Sequence, residues 1–246
     1  MNNQEVVSSR YVICAPCYNE EEGIVNYIRE MRKSIPNSLI IVVNDCSTDN
    51  TLLKMIDLQK EINDFIILNN KKNIGHGQSS MKAWKESLKY EARGILTLDG
   101  DGQVSGKEIG KAVDHFEKLN VDVLECVRTE RRDPWFRKLI TFSLRLLVFF
   151  KSRNIPADAN TPIRLYRTET LKKLIEEIPS KSLTPNLNVS ILLRRKKLNY
   201  KSKKISTRDR LGDNRIGTTW NTRNSLIPSK KLITFCKLAI MQIYKI

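Results

Sequence analysis

The 246-residue sequence has no apolar run of the ~18–20 residues needed to span a bilayer, so no membrane-crossing helix is expected. It has no internal repeat and no low-complexity linker, which sets repeat arrays and disordered chains aside. The five cysteines (Cys14, Cys17, Cys46, Cys126, Cys236) are odd in number and do not form a disulfide framework. Cys14 and Cys17 have redox spacing, but Pro16 between them and the passage from strand into loop argue against a thioredoxin-type pair. Met1 to Arg10 is polar and lacks the pattern of a signal peptide, so the expected compartment is the reducing cytosol. Acidic residues are scarce: 27 Asp and Glu face 43 Lys and Arg, for a formal charge of +16 and a pI near 9.7. Such a balance implies an anionic partner: nucleic acid, an acidic membrane surface or a phosphorylated small molecule. The excess is uneven, with thirteen Lys/Arg against two Asp/Glu from Arg194 to Lys231. The basic residues also lack the regular aromatic interleaving of a base-stacking surface, so nucleic acid is not the expected partner.

What is present is an alternation. Arg10 to Pro16 reads as a strand, followed by a helix to Ser34 with Glu20, Glu21 and Glu22 suiting its first turn. Leu39–Val43 is an unbroken apolar run, the mark of a strand covered on both faces. A helix over Thr51–Glu61, a strand at Phe65–Leu68, a helix over Gln78–Tyr90 and a strand from Ile95 follow. Strands alternating with helices predict a parallel sheet with helices on both faces. In such sheets ligands bind beyond the carboxyl ends of the strands, and four polar loops lie on that edge: 16–22, 44–51, 69–77 and 99–103. Further on, helices are expected at Lys107–Leu119, Trp135–Phe150 and Thr168–Glu177, the last capped by Thr168 or its neighbour, with strands at Val121–Val127 and Arg164–Arg167. The Trp135–Phe150 helix is apolar on most sides. It suits either a buried core position or a membrane interface with its basic residues snorkelling. Leu232–Ile246 is amphipathic, long enough to lie on a membrane but too short to cross one.

The organising stretch is Leu98-Asp99-Gly100-Asp101-Gly102-Gln103. Two carboxylates one residue apart at a strand end repel each other unless a cation sits between them. A hard divalent ion, Mg²⁺ or Mn²⁺, suits this pattern, because it takes one or two carboxylates, waters and diphosphate oxygens. An ordinary surface turn is the alternative, since Asp-Gly pairs favour turns.

Read together, the loops resemble glycosyltransferase family 2, the inverting enzymes of the GT-A fold. Ala15-Pro16-Cys17-Tyr18-Asn19-Glu20-Glu21 is similar to the family's opening Pro-x-Tyr-Asn-Glu. Val42-Val43-Asn44-Asp45-Cys46-Ser47-Thr48-Asp49-Asn50-Thr51 is similar to its Val-Asp-Asp-Gly-Ser-x-Asp-x-Thr. Asn73-Ile74-Gly75-His76-Gly77 resembles its Asn-x-Gly-x-Gly loop, and Asp99-Gly100-Asp101 its Asp-x-Asp motif. Gln103, Asp158, Arg164-Leu165-Tyr166-Arg167 and Arg208-Asp209-Arg210-Leu211-Gly212 fit the dolichyl-phosphate-mannose synthase and polyprenyl-phosphate branch. The chain departs from the pattern at Asn44, where an aspartate is usual, at Cys46, where glycine is usual, and at Asn214, where the branch often has serine.

The resemblance implies an α/β GT-A domain over residues 1–220. A nucleotide-binding half spans about 10–105 and an acceptor half about 106–220, with a tail from 221 to 246. It implies a UDP- or GDP-hexose donor, with Asp45 accepting from a ring N–H of the base. Pro16, Tyr18, Glu20, Val43 and Gly100 would wall the nucleotide. Asp99, Asp101 and Gln103 would hold Mg²⁺ or Mn²⁺, Asp99 through the ribose or a metal-bound water. Arg128, Arg137 and Arg210 would close on the diphosphate, since guanidinium pairs phosphate oxygens bidentately. Asp101 and Asp158 are the catalytic candidates, Asp158 as a base or an orienting group, while His76 is expected to be structural or solvent-facing. The implied acceptor is a lipid-linked phosphate at the inner face of the membrane, with peripheral attachment. A saccharide hydroxyl in cell-surface polysaccharide assembly is the alternative acceptor, and Asn44 leaves room for an inactive scaffold.

Overall fold

A computed structural model describes residues 10–129, 135–161, 163–212, 238, 240 and 241, with the side chains of 135–139 left aside. Seven strands form one sheet: β1 (Tyr11–Cys17), β2 (Leu39–Asn44), β3 (Phe65–Asn69), β4 (Gly94–Thr97), β5 (Val123–Arg128), β6 (Arg164–Tyr166) and β7 (Tyr200–Ile205). Their order is β3-β2-β1-β4-β6-β5-β7. The β3-β2-β1-β4 block is parallel, as the alternation requires. The sheet as a whole is mostly parallel, as the resemblance implies; the exception is β6, which runs antiparallel to both β4 and β5. Thr97 pairs with Arg164 and Glu125 with Arg164, so β6 brings a charged residue into the middle of the sheet.

The helices are α1 (Ile24–Ser34), α2 (Thr51–Gln59), α3 (His76–Ser87), α4 (Gly106–Leu119), α5 (Trp135–Ser152), α6 (Thr168–Glu177) and α7 (Pro185–Arg195). Alternate residues of each central strand feed two cores. Ile13, Ala15, Ile40 and Val42 pack on the α1 and α4 side, and Val12, Ile41, Val43 and Ile95 on the α3, α6 and α7 side. This is why Leu39–Val43 is apolar without alternation: both faces are covered. The same parity decides the Cys14/Cys17 question. Three residues apart on a strand, they enter opposite cores and cannot pair. Burial pushes the Cys14 thiol up to about 12 and the Cys17 thiol higher still, leaving both inert.

Several boundaries moved for local reasons. Glu20, Glu21 and Glu22 precede α1 instead of filling its first turn, because the Glu20 carbonyl already accepts from Gly23 and Ile24 in a turn. Helix α6 keeps its expected span, with Arg167, the neighbour of Thr168, at the cap but making no side-chain bond, while the Thr168 hydroxyl donates to the Ala92 carbonyl. Helix α7 and strand β7 had no counterpart in the sequence pattern. Every residue of α7 from Pro185 to Arg194 is buried, including Asn186, Asn188, Ser190 and Arg194, so it shows no polar face. Strand β7 is a lysine-rich edge, with Lys201, Lys203 and Lys204 in six residues, the kind of charge that blocks edge-to-edge pairing. The expected tail from residue 221 lies outside the described residues apart from Leu238, Ile240 and Met241, as does Asn214.

Helix α3 begins against the turn that leads into α7. A methyl group on Gly77 would lie 2.2 Å from the Leu183 carbonyl oxygen, so backbone would have to move. Gly77→Ala is expected to cost about 1–3 kcal/mol, read as a lower urea midpoint. An unchanged midpoint would count against this close approach.

Candidate active site

The four polar loops do meet at the carboxyl edge of the sheet, and they are stitched together by their own motif residues. Asn19, in a left-handed conformation, accepts from the Thr48 amide at 2.8 Å through its side-chain oxygen, and its own amide donates to the Ser47 hydroxyl at 3.0 Å. The Glu20 amide donates to the Thr51 hydroxyl at 2.8 Å and the Glu21 amide to the Asp49 carboxylate at 3.2 Å. The Tyr-Asn-Glu and Ser-Thr-Asp-Asn-Thr stretches are therefore two halves of one interlocked surface, whose polar side chains satisfy loop amides that no helix or sheet can. Tyr18 is half-buried at its edge, while Pro16 and Val43 are buried neighbours in the β1/β2 register.

Asp45 ties in the third loop. Its carboxylate accepts from the Asn70 side-chain amide (2.9 Å), the Ile74 amide (2.9 Å) and the Gly75 amide (2.8 Å), and its backbone carbonyl accepts from Asn73 (3.1 Å). The side chain is buried. Three donors on a carboxylate with about four acceptor positions leave room for one further hydrogen bond on Oδ2. Asn44, where the family pattern has aspartate, donates to Asn69 across the β2/β3 pair at 2.7 Å and accepts from Ser47. A neutral amide suits this buried position, since it both donates and accepts there. Cys46 sits at φ 61°, the left-handed region where the usual glycine costs least.

The acidic motif closes the site. Gly100 donates to the Pro16 carbonyl at 3.0 Å, and a Cβ on it would lie 2.7 Å from that oxygen, so only glycine fits this approach. Asp99 and Asp101 then flank a narrow cleft shared with Gln103, Arg128 and Thr207. His76, which the sequence left without a role, reaches Asp99 Oδ1 through Nε2 at 2.7 Å. No motif signalled this, because the pairing spans β4 and the start of α3. Asp99 is partly buried and His76 half-exposed, and their mutual attraction holds the Asp99 carboxyl below and the His76 imidazole above their ordinary ranges. Asp101 shifts the other way: burial, and then the Asp99 charge, raise its carboxyl.

Arg210 is the bridge. Its Nη2 lies 2.7 Å from Glu20 Oε1 and its Nε 3.2 Å from Asp101 Oδ2. Glu20 is pushed up to about 8 by burial, against the pull of Arg210. The segment that carries Arg210 is strapped over the acidic loop. The Arg208 amide donates to the Gln103 carbonyl (2.9 Å), its guanidinium to the Gly102 carbonyl (2.8 Å) and to Glu30 (2.9 Å), and Leu211 packs on Gly23 and Gly102. On the other side, Arg128 Nη2 lies 3.3 Å from Asp158 Oδ2, and Asp158 is buried and also accepts from the Asn160 amide. Two buried guanidinium N–H groups beside the cleft, Arg128 Nε and Arg210 Nη1, have no hydrogen-bond partner among the described residues. The side chain of Arg137 lies outside the described residues.

No cluster of three or more His, Cys, Asp or Glu side chains converges as a complete cation cage among the described residues. That donor set fits a Mg²⁺-like ion, which is held by one or two carboxylates and takes its remaining ligands from phosphate oxygens and water. Asp99 and Asp101 repel each other, and among the described residues His76, Arg128 and Arg210 offset their charge.

Sheet order, the interlocked loops and the acidic strand end define a nucleotide-binding α/β architecture of the GT-A kind. The chain belongs to glycosyl transferase family 2, whose profile it matches over residues 12–178. It is 24% identical over 209 residues to a UDP-N-acetylglucosamine–dolichyl-phosphate N-acetylglucosaminyltransferase of Methanococcus voltae, covering 78% of this chain and 83% of that protein. It is 27% identical over 172 residues to the undecaprenyl-phosphate 4-deoxy-4-formamido-L-arabinose transferase of Proteus mirabilis, covering 67% of this chain and 51% of the relative, about half its length. Among solved structures, glucosyl-3-phosphoglycerate synthase from Mycobacterium tuberculosis, with Mn²⁺, UDP and glucosyl-3-phosphoglycerate, superposes with a TM-score of 0.64 at 12% identity. The match covers 96% of this chain and 79% of that one. S. aureus TarS 1-349 with UDP superposes with a TM-score of 0.55 at 20% identity, covering 82% of this chain and 59% of that one.

Proposed function

We propose that the chain is an inverting, metal-dependent transferase that moves a hexose from a UDP- or GDP-sugar to a lipid-linked acceptor, most simply polyprenyl phosphate. The observation that carries this reading is the pair of buried donors, Arg128 Nε lining the Asp99/Asp101 cleft and Arg210 Nη1 on the guanidinium that holds Asp101, which have no acceptor among the described residues. Buried N–H groups demand acceptors, and a diphosphate in the cleft supplies them. Residues 10–105 would hold the nucleotide, with the remaining lone pair of Asp45 available to a ring N–H and Pro16, Tyr18, Glu20, Val43 and Gly100 around it. Residues 106–220 would face the acceptor.

Asp99, Asp101 and Gln103 would hold Mg²⁺ or Mn²⁺, which supplies Lewis-acid stabilisation of the departing nucleoside diphosphate. Arg210, released from Asp101, and Arg128 would neutralise the same developing charge from the protein side. In the transfer, an acceptor oxygen forms a bond to the anomeric carbon as the bond to the diphosphate oxygen breaks, inverting the centre in one displacement. Asp158 bears on the choice of acceptor. Held by Arg128 and the Asn160 amide in a buried position, it is arranged to orient Arg128 rather than to collect a proton. A phosphate acceptor is already an anion and has no proton to lose, which favours it over a saccharide hydroxyl.

Helix α5 suits such an acceptor. Its inner side packs on α7 through Val148, Leu187 and Ile191, while Phe142, Phe149 and Phe150 are exposed, Phe150 by 76%. Aromatics on a helix face left exposed among the described residues suit peripheral attachment at a bilayer surface, here the inner face of the membrane. Among the described residues, no helix is long and apolar enough to cross one.

The test is transfer of labelled sugar from UDP- and GDP-hexoses to detergent-solubilised polyprenyl phosphate. An acid-labile glycosyl phosphate is the expected product, and transfer to saccharide hydroxyls alone would overturn the lipid reading. Phe149→Ser/Phe150→Ser should weaken sedimentation with phospholipid vesicles about tenfold while leaving activity in detergent intact. Undiminished sedimentation would remove α5 from the membrane contact.

A further inference from the structure

A second recess lies away from the acidic motif, between α3 and the turn that follows α6. This groove of about 350 Å³ falls in the size range of small-molecule sites. Ile74 and Met81 give it an apolar floor. Gln78, Lys82 and Lys85, spaced as a single stripe along α3, line one wall, and Lys89 just past its end extends it. Among the described residues Glu86 is the one carboxylate lining the groove, and it pairs with Lys89 at 2.7 Å. Lys85 has no hydrogen bond or ion pair among the described residues, so the groove keeps a net positive charge.

Lys82 is held differently. Its Nζ donates to Asn70 Oδ1 at 2.6 Å. The Asn70 amide donates in turn to Asp45 Oδ1 at 2.9 Å and to the Ser79 hydroxyl at 3.0 Å. Asp45 holds the Ile74 and Gly75 amides, and His76, the next residue, touches Asp99. Asn70 and Asp45 are both more than nine-tenths buried, so water cannot readily replace a bond lost from this line.

We propose that the groove is an anion site for a phosphate-bearing ligand, and that its occupancy is passed through Lys82, Asn70 and Asp45 to the Ile74–Gly75 loop beside the acidic motif. A phosphate drawn in by Lys85 and Lys89 competes with Asn70 for the Lys82 ammonium. Asn70 then loses a partner for its carbonyl, and the clamp on the loop is re-formed or loosened. Free phosphate and a lipid headgroup share the chemistry the groove recognises. The site stands independently of the transferase reading, because it needs neither donor nor metal.

The experiment is a titration of the full chain with inorganic phosphate, with chelator present so that no cation draws phosphate to Asp99 and Asp101, followed by amide NMR. Saturable shifts are expected at Gln78, Lys85 and Gly75 and at the Asn70 side-chain amide, with a midpoint at least tenfold weaker in Lys85→Ala/Lys89→Ala. Arg210→Ala, which alters the acidic cleft, should keep the wild-type midpoint. Absence of saturable shifts, or an equal midpoint in the double variant, would overturn the site. Shifts confined to Gln78 and Lys85 would overturn the coupling. Flotation with vesicles of 30% phosphatidylglycerol in phosphatidylcholine separates the two sources. Loss of flotation in the double variant assigns a lipid headgroup, and retained flotation beside a weakened phosphate midpoint assigns a soluble phosphate.

Discussion

Asp101→Ala abolishes Mn²⁺-dependent binding of UDP or GDP in calorimetry and lowers sugar transfer by about three orders of magnitude, which corresponds to ~4 kcal/mol of transition-state stabilisation. The expectation follows from the position of Asp101. It is the carboxylate that faces both Asp99 and Arg210, and its pKa is already raised by burial and by the Asp99 charge. Removing it takes away one of two carboxylates for a hard cation, and it also frees Arg210 from the cleft side while leaving its contact to Glu20. Folding should not suffer, because the lost group is one whose ionised form the folded state disfavours. A variant of normal thermal stability with no metal-dependent nucleotide binding is the signature of a donor site. Transfer within tenfold of wild type would remove Asp101 from the mechanism. Chelation of the wild-type chain should reproduce the loss, and added Mn²⁺ or Mg²⁺ should restore it.

Arg164→Met has the largest expected effect on stability. Arg164 is wholly buried in β6. Its guanidinium lies 3.0 Å from Glu125, donates to the Ser190 hydroxyl at 2.6 Å, and reaches the Thr161 carbonyl at 2.9 Å and Asn186 at 3.2 Å. Arg194 from α7 holds the other Glu125 oxygen at 2.8 Å. Taking one arginine away leaves four acceptors short of a donor and a buried carboxylate with half its compensation, a loss of about 3–5 kcal/mol. The urea midpoint should fall accordingly with no change in slope. The triple variant Arg164→Met/Glu125→Leu/Arg194→Met should recover much of the loss, because a well-packed apolar replacement carries no desolvation cost. A midpoint within 1 kcal/mol of wild type for the single variant would show that the triad does not hold the sheet. Arg164 stood out in the sequence as part of a branch-like motif. In the fold it is a buried residue that joins the antiparallel strand to α7, directly after Ile163, which lines the cleft.

The first half of the chain was legible because its elements are local. Leu39–Val43 is apolar throughout and cannot be anything but a doubly covered strand, and each polar loop follows its strand directly. Sequence order therefore placed Tyr18, Asn19, Asp45, Asp49, Gly75, Asp99 and Asp101 on one edge before any coordinates. Glycine at position 100 follows the same logic, since backbone must approach Pro16 closely there.

The second half obeys contacts between distant residues, and these leave no periodic trace. Strand β6 is three residues long and takes its direction from pairing with β4 and β5, so its antiparallel sense was invisible. Helix α7 hides its polar residues in a buried network, where Arg194 and Ser190 satisfy Glu125 and Arg164, and hydrophobic periodicity cannot see partners 69 and 26 residues away. The same reason explains the site residues that the sequence left open. His76 meets Asp99 across 23 residues and Arg210 meets Glu20 across 190. The sequence by itself determined which loops form the edge and which carboxylates stand on it, because strand and loop chemistry are short-range. Only the tertiary structure decided which cations neutralise those carboxylates and which buried charges lock the sheet, because a charge is satisfied by whatever lies nearest in space.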